Sequence, residues 1–179
     1  NSAINITASD AQTLADARIL NDATNSGTTT YAISDTAGNL ADALDLTVTL
    51  DDAVRASMVA AIENASGTVT VNNGGNANAN AAQATLLAGY TKAVVYDLVD
   101  TAAAMTASTV SAAALNEARN INASSGTTTA AQAATIMAAT NSSGKTTIAR
   151  VDGTAAEVLA LTLGANDTIR TLNVTTPTV

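Results

Sequence analysis

The sequence contains neither cysteine nor histidine. It therefore lacks the side chains used in Ser-His and Cys-His catalysis and in most zinc sites, and disulfide bonds are excluded. Phenylalanine and tryptophan are also absent, and three tyrosines make up the whole aromatic content of 2%. A core built from this sequence must consist of Leu, Ile, Val and closely packed Ala, which favours thin, regular layers over a large globular centre.

Basic residues are scarce: seven Lys and Arg stand against fifteen Asp and Glu, and the net charge is −8. The seven are scattered singly, so no patch could neutralise a run of phosphates or an anionic membrane surface. No apolar run approaches the length of about 18 residues that a spanning helix needs. We expect no nucleic-acid partner and no membrane insertion, and the acidic, Ser- and Thr-rich composition favours an extracellular or cell-surface location.

Two phrases recur along the chain. The first predicts an Ala-rich helix that starts near Ser9, Asp51 or Ser111 and ends at a Ser-Gly-Thr turn: Ser26-Gly27-Thr28, Ser66-Gly67-Thr68 and Ser125-Gly126-Thr127. The second leads from a β-branched run through an aspartate into a helix: Asp35-Thr36-Ala37, Asp100-Thr101-Ala102 and Asp152-Gly153-Thr154-Ala155. Equivalent points lie about 40 to 65 residues apart, a period typical of repeat proteins.

This pattern divides the chain into repeat units at residues 1–50, 51–108 and 109–165, followed by a C-terminal strand at 166–179. Helices are predicted at 81–88 and 130–137, and strands at 28–34, 46–50, 68–71, 93–99 and 146–151. Strands separated by helices usually pair in parallel. We therefore predict an α/β protein, either a solenoid-like or layered array of short parallel strands and Ala-rich helices or, alternatively, a single compact α/β domain.

The run Ser34-Asp35-Thr36-Ala37-Gly38-Asn39-Leu40 resembles the "SDTAANL" phrase of large secreted bacterial surface proteins, which include S-layer-like, adhesin-like and RTX-type proteins. The Ala-Ala-Gln-Ala runs that begin at residues 81 and 130 look like further parts of the same repeats. The resemblance implies an extracellular structural or adhesive role. It does not bring RTX calcium binding with it, because Gly74-Gly75-Asn76-Ala77-Asn78 lacks the third glycine and the aspartate of the calcium-binding nonapeptide.

Carboxylates are the remaining candidates for chemistry. Three pairs could act as acid and base or bind calcium: Asp42 with Asp45, Asp51 with Asp52, and Asp97 with Asp100. We expect these residues, and the repeated Asp35, Asp100 and Asp152, to cap helices or face solvent. No catalytic or cofactor-binding residue is assigned, and whether there is a metal site stays unknown. We expect no cofactor, with calcium as the one alternative.

We therefore expect a non-enzymatic structural segment of a bacterial surface assembly: an S-layer, a filament or the stalk of a giant adhesin. Its partners would be copies of itself or neighbouring repeats, joined through the β-type segments at residues 1–7 and 168–176. The alternative is a module that binds surface glycans or a host surface, with loop 72–80 as its contact. A carboxylate-based glycosidase, which would need two facing acids in a cleft, is a third possibility.

Overall fold

The expected alternation of strands and helices is present in the computed structural model, which describes residues 4–141 and 144–176. The chain divides into two compact units. Unit 1 comprises Asn1–Asn78 and Leu86–Val95, and unit 2 comprises Ala79–Thr85 and Tyr96–Val179.

The first ten elements of the chain lie in unit 1 or at its division from unit 2. In order they are β1 (Ile6–Thr7), α1 (Leu14–Asn21), β2 (Thr29–Thr30), β3 (Ile33–Asp35), α2 (Ala37–Asp42), α3 (Asp52–Glu63), β4 (Val69–Val71), β5 (Asn78–Ala79), α4 (Ala81–Leu87) and β6 (Val94–Val95). Strands β1 and β2 pair in parallel, and β3, β4 and β6 form a second parallel sheet. The division between the units falls within β5 and within α4.

Unit 2 continues in the same way. Its elements are β7 (Asp97–Asp100), α5 (Ala102–Met105), α6 (Ala112–Asn116), β8 (Asn120–Ala123), β9 (Thr128–Thr129), α7 (Ala130–Met137), β10 (Thr146–Ile148), β11 (Val151–Thr154), α8 (Ala155–Leu159), β12 (Asp167–Ile169) and β13 (Leu172–Thr175). One sheet has the order β12–β10–β8–β7–β5 and the other has the order β13–β11–β9. The registered strand pairs of both sheets are parallel, which confirms the α/β class with short parallel strands and Ala-rich helices.

Short polar side chains decide where the helices begin. Each such side chain accepts a backbone N–H in the first turn, and the residues that do so are Thr13, Thr36, Asp51, Asn80, Thr101, Ser111, Thr129 and Thr154. Each stands before an Ala-rich run, so local sequence is enough to start a helix there. Helices α4 and α7 accordingly match the predictions at 81–88 and 130–137 within a residue.

The core consists of alanine and branched aliphatic side chains, as the composition predicts. Alanines on the inner helix faces are fully buried, among them Ala17 and Ala61 in unit 1 and Ala114 and Ala133 in unit 2. Branched residues of the strands are buried as well, including Ile33, Val69, Ile121, Ile148 and Val151. Because alanine adds little side-chain volume, helices can approach strands closely without large aromatic residues.

Two predicted strands are each interrupted by a tyrosine. The run 28–34 divides into β2 and β3 around Tyr31, and the run 93–99 divides into β6 and β7 at Tyr96. Both rings are buried, and their hydroxyl groups donate to helix carbonyls. Tyr90 does the same to the carbonyl of Leu40 at 2.7 Å.

The predicted strand at 46–50 is absent: these residues form turns and irregular structure. The guanidinium of Arg55 fixes the chain on both sides of the start of this segment, since it donates to the carbonyls of Asp42, Ala43 and Asp45 before it and of Val48 within it at 2.8–3.0 Å. A strand ladder through Val48 would have to compete for that one carbonyl. Alternation of residue types was therefore misleading here.

The predicted helix from Ser111 to the turn at 125–127 is also wrong. Helix α6 ends at Asn116, and Asn120–Ala123 is strand β8. Strand β8 pairs with β7, and the Arg119 and Asn120 side chains both bond the Asp97 carboxylate. A partner distant in sequence overrides the local preference of an Ala- and Asn-rich segment.

Candidate functional site

Two of the repeated aspartates, Asp35 and Asp100, each join two helix starts rather than capping a single helix. In unit 1 the Asp35 carboxylate accepts the N–H of Leu14, the first residue of α1, at 2.8 Å. It also accepts the N–H of Thr36 at 2.7 Å and the Asn39 amide at 2.8 Å. The N-cap of α2 is Thr36, not Asp35. One carboxylate therefore holds the start of α1 against the strand that leads into α2.

Asp100 makes the same joint in unit 2. Its carboxylate accepts the N–H of Ala81, the first residue of α4, at 3.0 Å and the N–H of Thr101 at 2.7 Å. Thr101 in turn is the N-cap of α5. The expectation that these aspartates accept backbone N–H groups at helix starts is confirmed, but the threonine after each aspartate is the cap of the helix that follows.

Asp152 departs from this arrangement because the phrase around it contains one extra residue. The residue before the N-cap Thr154 is Gly153, and Asp152 lies opposite Thr129 in the sheet. Asp152 instead pairs with Arg150 at 2.5 Å, and this bond lowers the pKa of Asp152. Glu157 accepts the N–H of Thr154 at 2.7 Å, a bond that an aspartate accepts in the other two joints. The third phrase therefore resembles the other two in sequence but not in structure.

Asn73 is a third joint residue, and the sequence did not predict it. Its side-chain oxygen accepts the N–H of Ala37, the first residue of α2, at 3.0 Å. Asn73 thus does for α2 what Asp35 does for α1, from a loop that reads as an irregular polar stretch. Only the pairing of β3 with β4 brings it to that position, so no local signal could have identified it.

Loop 72–80, the predicted glycan contact, is largely bonded to itself. Gly75 donates its N–H to the Asn72 side chain at 2.7 Å, and the Asn76 amide donates to the Asn73 carbonyl at 3.2 Å. Gly74 and Gly75 adopt φ angles of +70° and +102°, which explains glycine at both positions. The loop offers fewer free amide groups to a sugar than its composition suggests, and glycan binding stays a prediction.

Each of the three predicted calcium pairs has a member engaged in hydrogen bonds within the protein. Asp45 accepts the Thr47 hydroxyl at 2.7 Å, a bond that lowers its pKa, and Asp51 is the N-cap of α3. Asp97 is bonded to Arg119 and to Asn120. Within residues 4–141 and 144–176, no group of three or more acidic side chains is placed to hold a metal ion. Calcium binding stays a prediction.

The structure does bring two candidate acids into one cleft. The α1–α2–α3 cleft of unit 1, about 240 Å³ in volume, is lined by Leu14, Arg18, Asp35, Asn39, Asp42 and Met58. Asp35 already accepts three hydrogen bonds there. A glycosidase acid or nucleophile must be free to bond substrate. Of Asp35 and Asp42, only Asp42 meets that condition.

The Ser-Gly-Thr turns divide into two kinds. At Gly27 and Gly67 the glycine lies against the preceding strand segment, and an added Cβ would meet atoms of Ile4 or Ala32. Gly126 instead has a φ of +80° and open space around it, and it follows strand β8 rather than a helix. The residue of unit 2 that makes the close approach is Gly144, whose Cβ would meet the Arg119 carbonyl.

Removing the joint carboxylate should destabilise the protein. We expect Asp100→Ala to lower the free energy of unfolding by about 1–2 kcal/mol, because two backbone N–H groups at helix starts lose their acceptor. Thermal or urea unfolding followed by circular dichroism measures the loss. Asp152→Ala is the matched control and should change stability little, since its partner is an exposed arginine. If Asp100→Ala kept its stability but lost calcium binding, the role of Asp100 in joining two helix starts would be contradicted.

Stability should also fall in acid because of Asp97. Hydrogen bonds from Arg119 hold the pKa of Asp97 below its usual range. A carboxylate whose pKa is lower in the folded state adds stability above its unfolded pKa of about 3.9, and that stability is lost as pH falls through the lower folded value. Urea unfolding at pH 2 to 6 should show a smaller acid-dependent loss for Asp97→Asn than for the natural protein. The exposed Asp10→Asn should follow the natural profile.

The outer edge of unit 2 exposes large apolar side chains. We define the terminal face as residues 155–175, which include α8, β12 and β13. Leu159 is 85% exposed, Leu163 49%, Leu172 52% and Val174 54%. Leu172 is the register partner of Val151, which is fully buried. Among the described residues β12 pairs only with β10 and β13 only with β11, so both sheets have an open edge here.

No family model, curated protein or solved structure matches this chain. None of the helices in the described ranges is long and apolar enough to cross a membrane.

Proposed function

We propose that this chain is a non-enzymatic structural repeat segment of a bacterial extracellular surface assembly, such as an S-layer, a filament or the stalk of a giant adhesin. It associates through its ends with copies of itself or with neighbouring repeats. The observation that carries the proposal is the terminal face, where Leu172 is exposed although its register partner Val151 is buried, and where Leu159, Leu163 and Val174 are exposed as well. Exposed apolar side chains that lie together mark interaction sites in soluble proteins.

The sequence spacing of long-range hydrogen bonds supports a repetitive, solenoid-like arrangement. The bond from Leu14 to Asp35 spans 21 residues, that from Asn120 to Asp97 spans 23, and that from Lys145 to Asn120 spans 25. The bond from Ala37 to Asn73 spans 36, since the intervening chain includes the additional helix α3. Spacings this similar suit stacked strand–helix turns. The unit boundaries proposed from sequence, at residues 50, 108 and 165, remain part of this proposal.

A second copy of the chain offers the terminal face a strand edge of its own unit 1. In unit 1, strand β1 pairs only with β2 among the described residues, so its other side is open. Ile4 and Ile19 are 66% and 72% exposed in the same unit. Both edges belong to parallel sheets, so one can extend the other in the same sense. Contact between two different edges is heterologous and produces open-ended assemblies.

The test is the mass of the protein as a function of concentration. Analytical ultracentrifugation of the natural chain should show association that increases with concentration. Leu172→Lys places a charge on the terminal face and should weaken that association about tenfold or more. Leu46→Lys is the matched control, because Leu46 is 85% exposed outside this face, and it should associate like the natural chain.

Two results would count against self-association. One is a natural chain that stays monomeric at every concentration; the other is equal association of Leu172→Lys and the natural chain. A folded circular dichroism spectrum for each variant separates loss of association from loss of structure. Secretion and surface location are part of the same proposal, and fractionation of the producing cells would test them.

A further inference from the structure

The α1–α2–α3 cleft contains a positioned arginine. The Arg18 Nε donates to the Ser57 hydroxyl at 3.2 Å, and that hydroxyl donates to the Asp22 carboxylate at 2.9 Å. These two bonds orient the guanidinium from one side. Within the described part of the chain its two terminal nitrogens have no partner, although the side chain lines the cleft. Arginine with free terminal nitrogens is suited to bind a carboxylate.

Asp42 provides the opposite charge in the same cleft. It is the last residue of α2, where the negative end of the helix disfavours a carboxylate. Its side chain is half-buried, and it makes no side-chain hydrogen bond or ion pair among residues 4–141 and 144–176. An acid in this position that is neither paired nor fully solvated is unfavourable for folding alone. A ligand with an ammonium group would offset that cost.

The other lining groups set the size and polarity of the ligand. Leu14 and Met58 provide apolar walls, and the Asp35 oxygens are already bonded to three donors. The volume of about 240 Å³ is below the range of about 300–1,000 Å³ found for drug-sized ligands. A simple anion would meet Asp35 and Asp42, and a simple cation would meet Arg18. A small molecule that carries both charges can place each charge beside its opposite, which offsets each repulsion.

We propose that this cleft binds a small α-amino acid, or another compact ligand with one ammonium and one carboxylate group, with its carboxylate on Arg18 and its ammonium on Asp42. The apolar walls accept a short aliphatic side chain. This site lies in unit 1 and does not depend on the terminal face or on self-association. Binding here would add ligand recognition to a chain otherwise proposed as structural.

The experiment is isothermal titration calorimetry of the full chain with defined probes. L-alanine and L-valine carry both charges, while acetate and methylammonium each carry one. We expect the two amino acids to bind and each single-charge probe to bind at least about tenfold more weakly, because it makes only one of the two charge-assisted contacts. Acetate or methylammonium binding as tightly as L-alanine would overturn the proposal, as would no heat from either amino acid at millimolar concentration.

Variants locate the site. Arg18→Gln and Asp42→Asn should each weaken amino-acid binding at least about tenfold, since each removes one charged partner. Arg170→Gln and Asp10→Asn, which change exposed residues outside the cleft, should bind like the natural chain. Arg18→Gln also loses the bond to Ser57, so a thermal melt must show that it folds. If Asp42→Asn, which removes no bond within the protein, binds as tightly as the natural chain, the assignment fails.

Discussion

Gly144→Ala should lower the free energy of unfolding by about 3 kcal/mol, one of the largest effects available at a single position. A Cβ at this residue would overlap the carbonyl oxygen of Arg119. Backbone cannot move aside as a flexible side chain can, and the neighbouring ladder is fixed by Lys145 and Ile121, whose backbones bond at 2.9 Å. Relieving the overlap would separate β10 from β8 where their pairing begins.

Urea unfolding of the variant, followed by circular dichroism, measures this effect. Gly126→Ala is the matched control, because it has open space but a φ of +80°. It should cost only about 1 kcal/mol, the penalty of a left-handed conformation for alanine. Equal losses in the two variants would mean that close approach to Arg119 is not what requires glycine at 144.

Tyr96→Ala should destabilise the protein by about 3–5 kcal/mol, since it removes a fully buried ring from a core with few large side chains. Tyr96→Phe keeps the ring and should cost about 1–2 kcal/mol, because the buried carbonyl of Ala114 loses its 2.9 Å donor. Leu159→Ala, at an 85% exposed position, is the control and should change stability by less than about 0.5 kcal/mol. A Tyr96→Ala loss no larger than that of Leu159→Ala would contradict the packing described for unit 2.

The buried tyrosines Tyr96 and Tyr90 also predict a loss of stability at alkaline pH. Burial raises the pKa of Tyr96 and of Tyr90 above the ordinary value. A group whose pKa is higher in the folded state adds stability that is complete below its unfolded pKa, about 10, and is lost as pH rises beyond it. Tyrosinate absorbance should therefore appear together with unfolding, and Tyr96→Phe should reduce the steepness of the transition. Tyrosinate formation in a fully folded protein would contradict this burial.

Local signals explain which parts of the fold were predictable. Helices α4 and α7 combine a capping residue with an uninterrupted Ala-rich run, and both lie where the sequence places them. Helix starts depend on bonds within one turn, so a short stretch of sequence contains the information. The failure at 46–50 has the opposite cause, because the carbonyl of Val48 is bonded by Arg55, which lies outside the predicted strand.

The candidate sites were harder to predict, because each depends on register. Asp35 and Asp100 were identified as helix-start residues, but their second helix comes from another part of the chain. Asp152 was grouped with them although one inserted glycine moves it out of the equivalent position. Nothing in the sequence around Arg18 marks it as a site residue, because Asp42, the acid that lines the same cleft, lies on a different helix.

The sequence by itself determined the α/β class, the parallel alternation of strands and helices, and a core of small and branched side chains without aromatic bulk. These follow from composition and short-range pattern, which act within a few residues. Only the tertiary structure decided which Ser-Gly-Thr turns make close contacts, which aspartates join two helices, and where opposite charges meet in the α1–α2–α3 cleft. Those outcomes depend on strand register, which is set by residues that lie more than twenty positions apart in the chain.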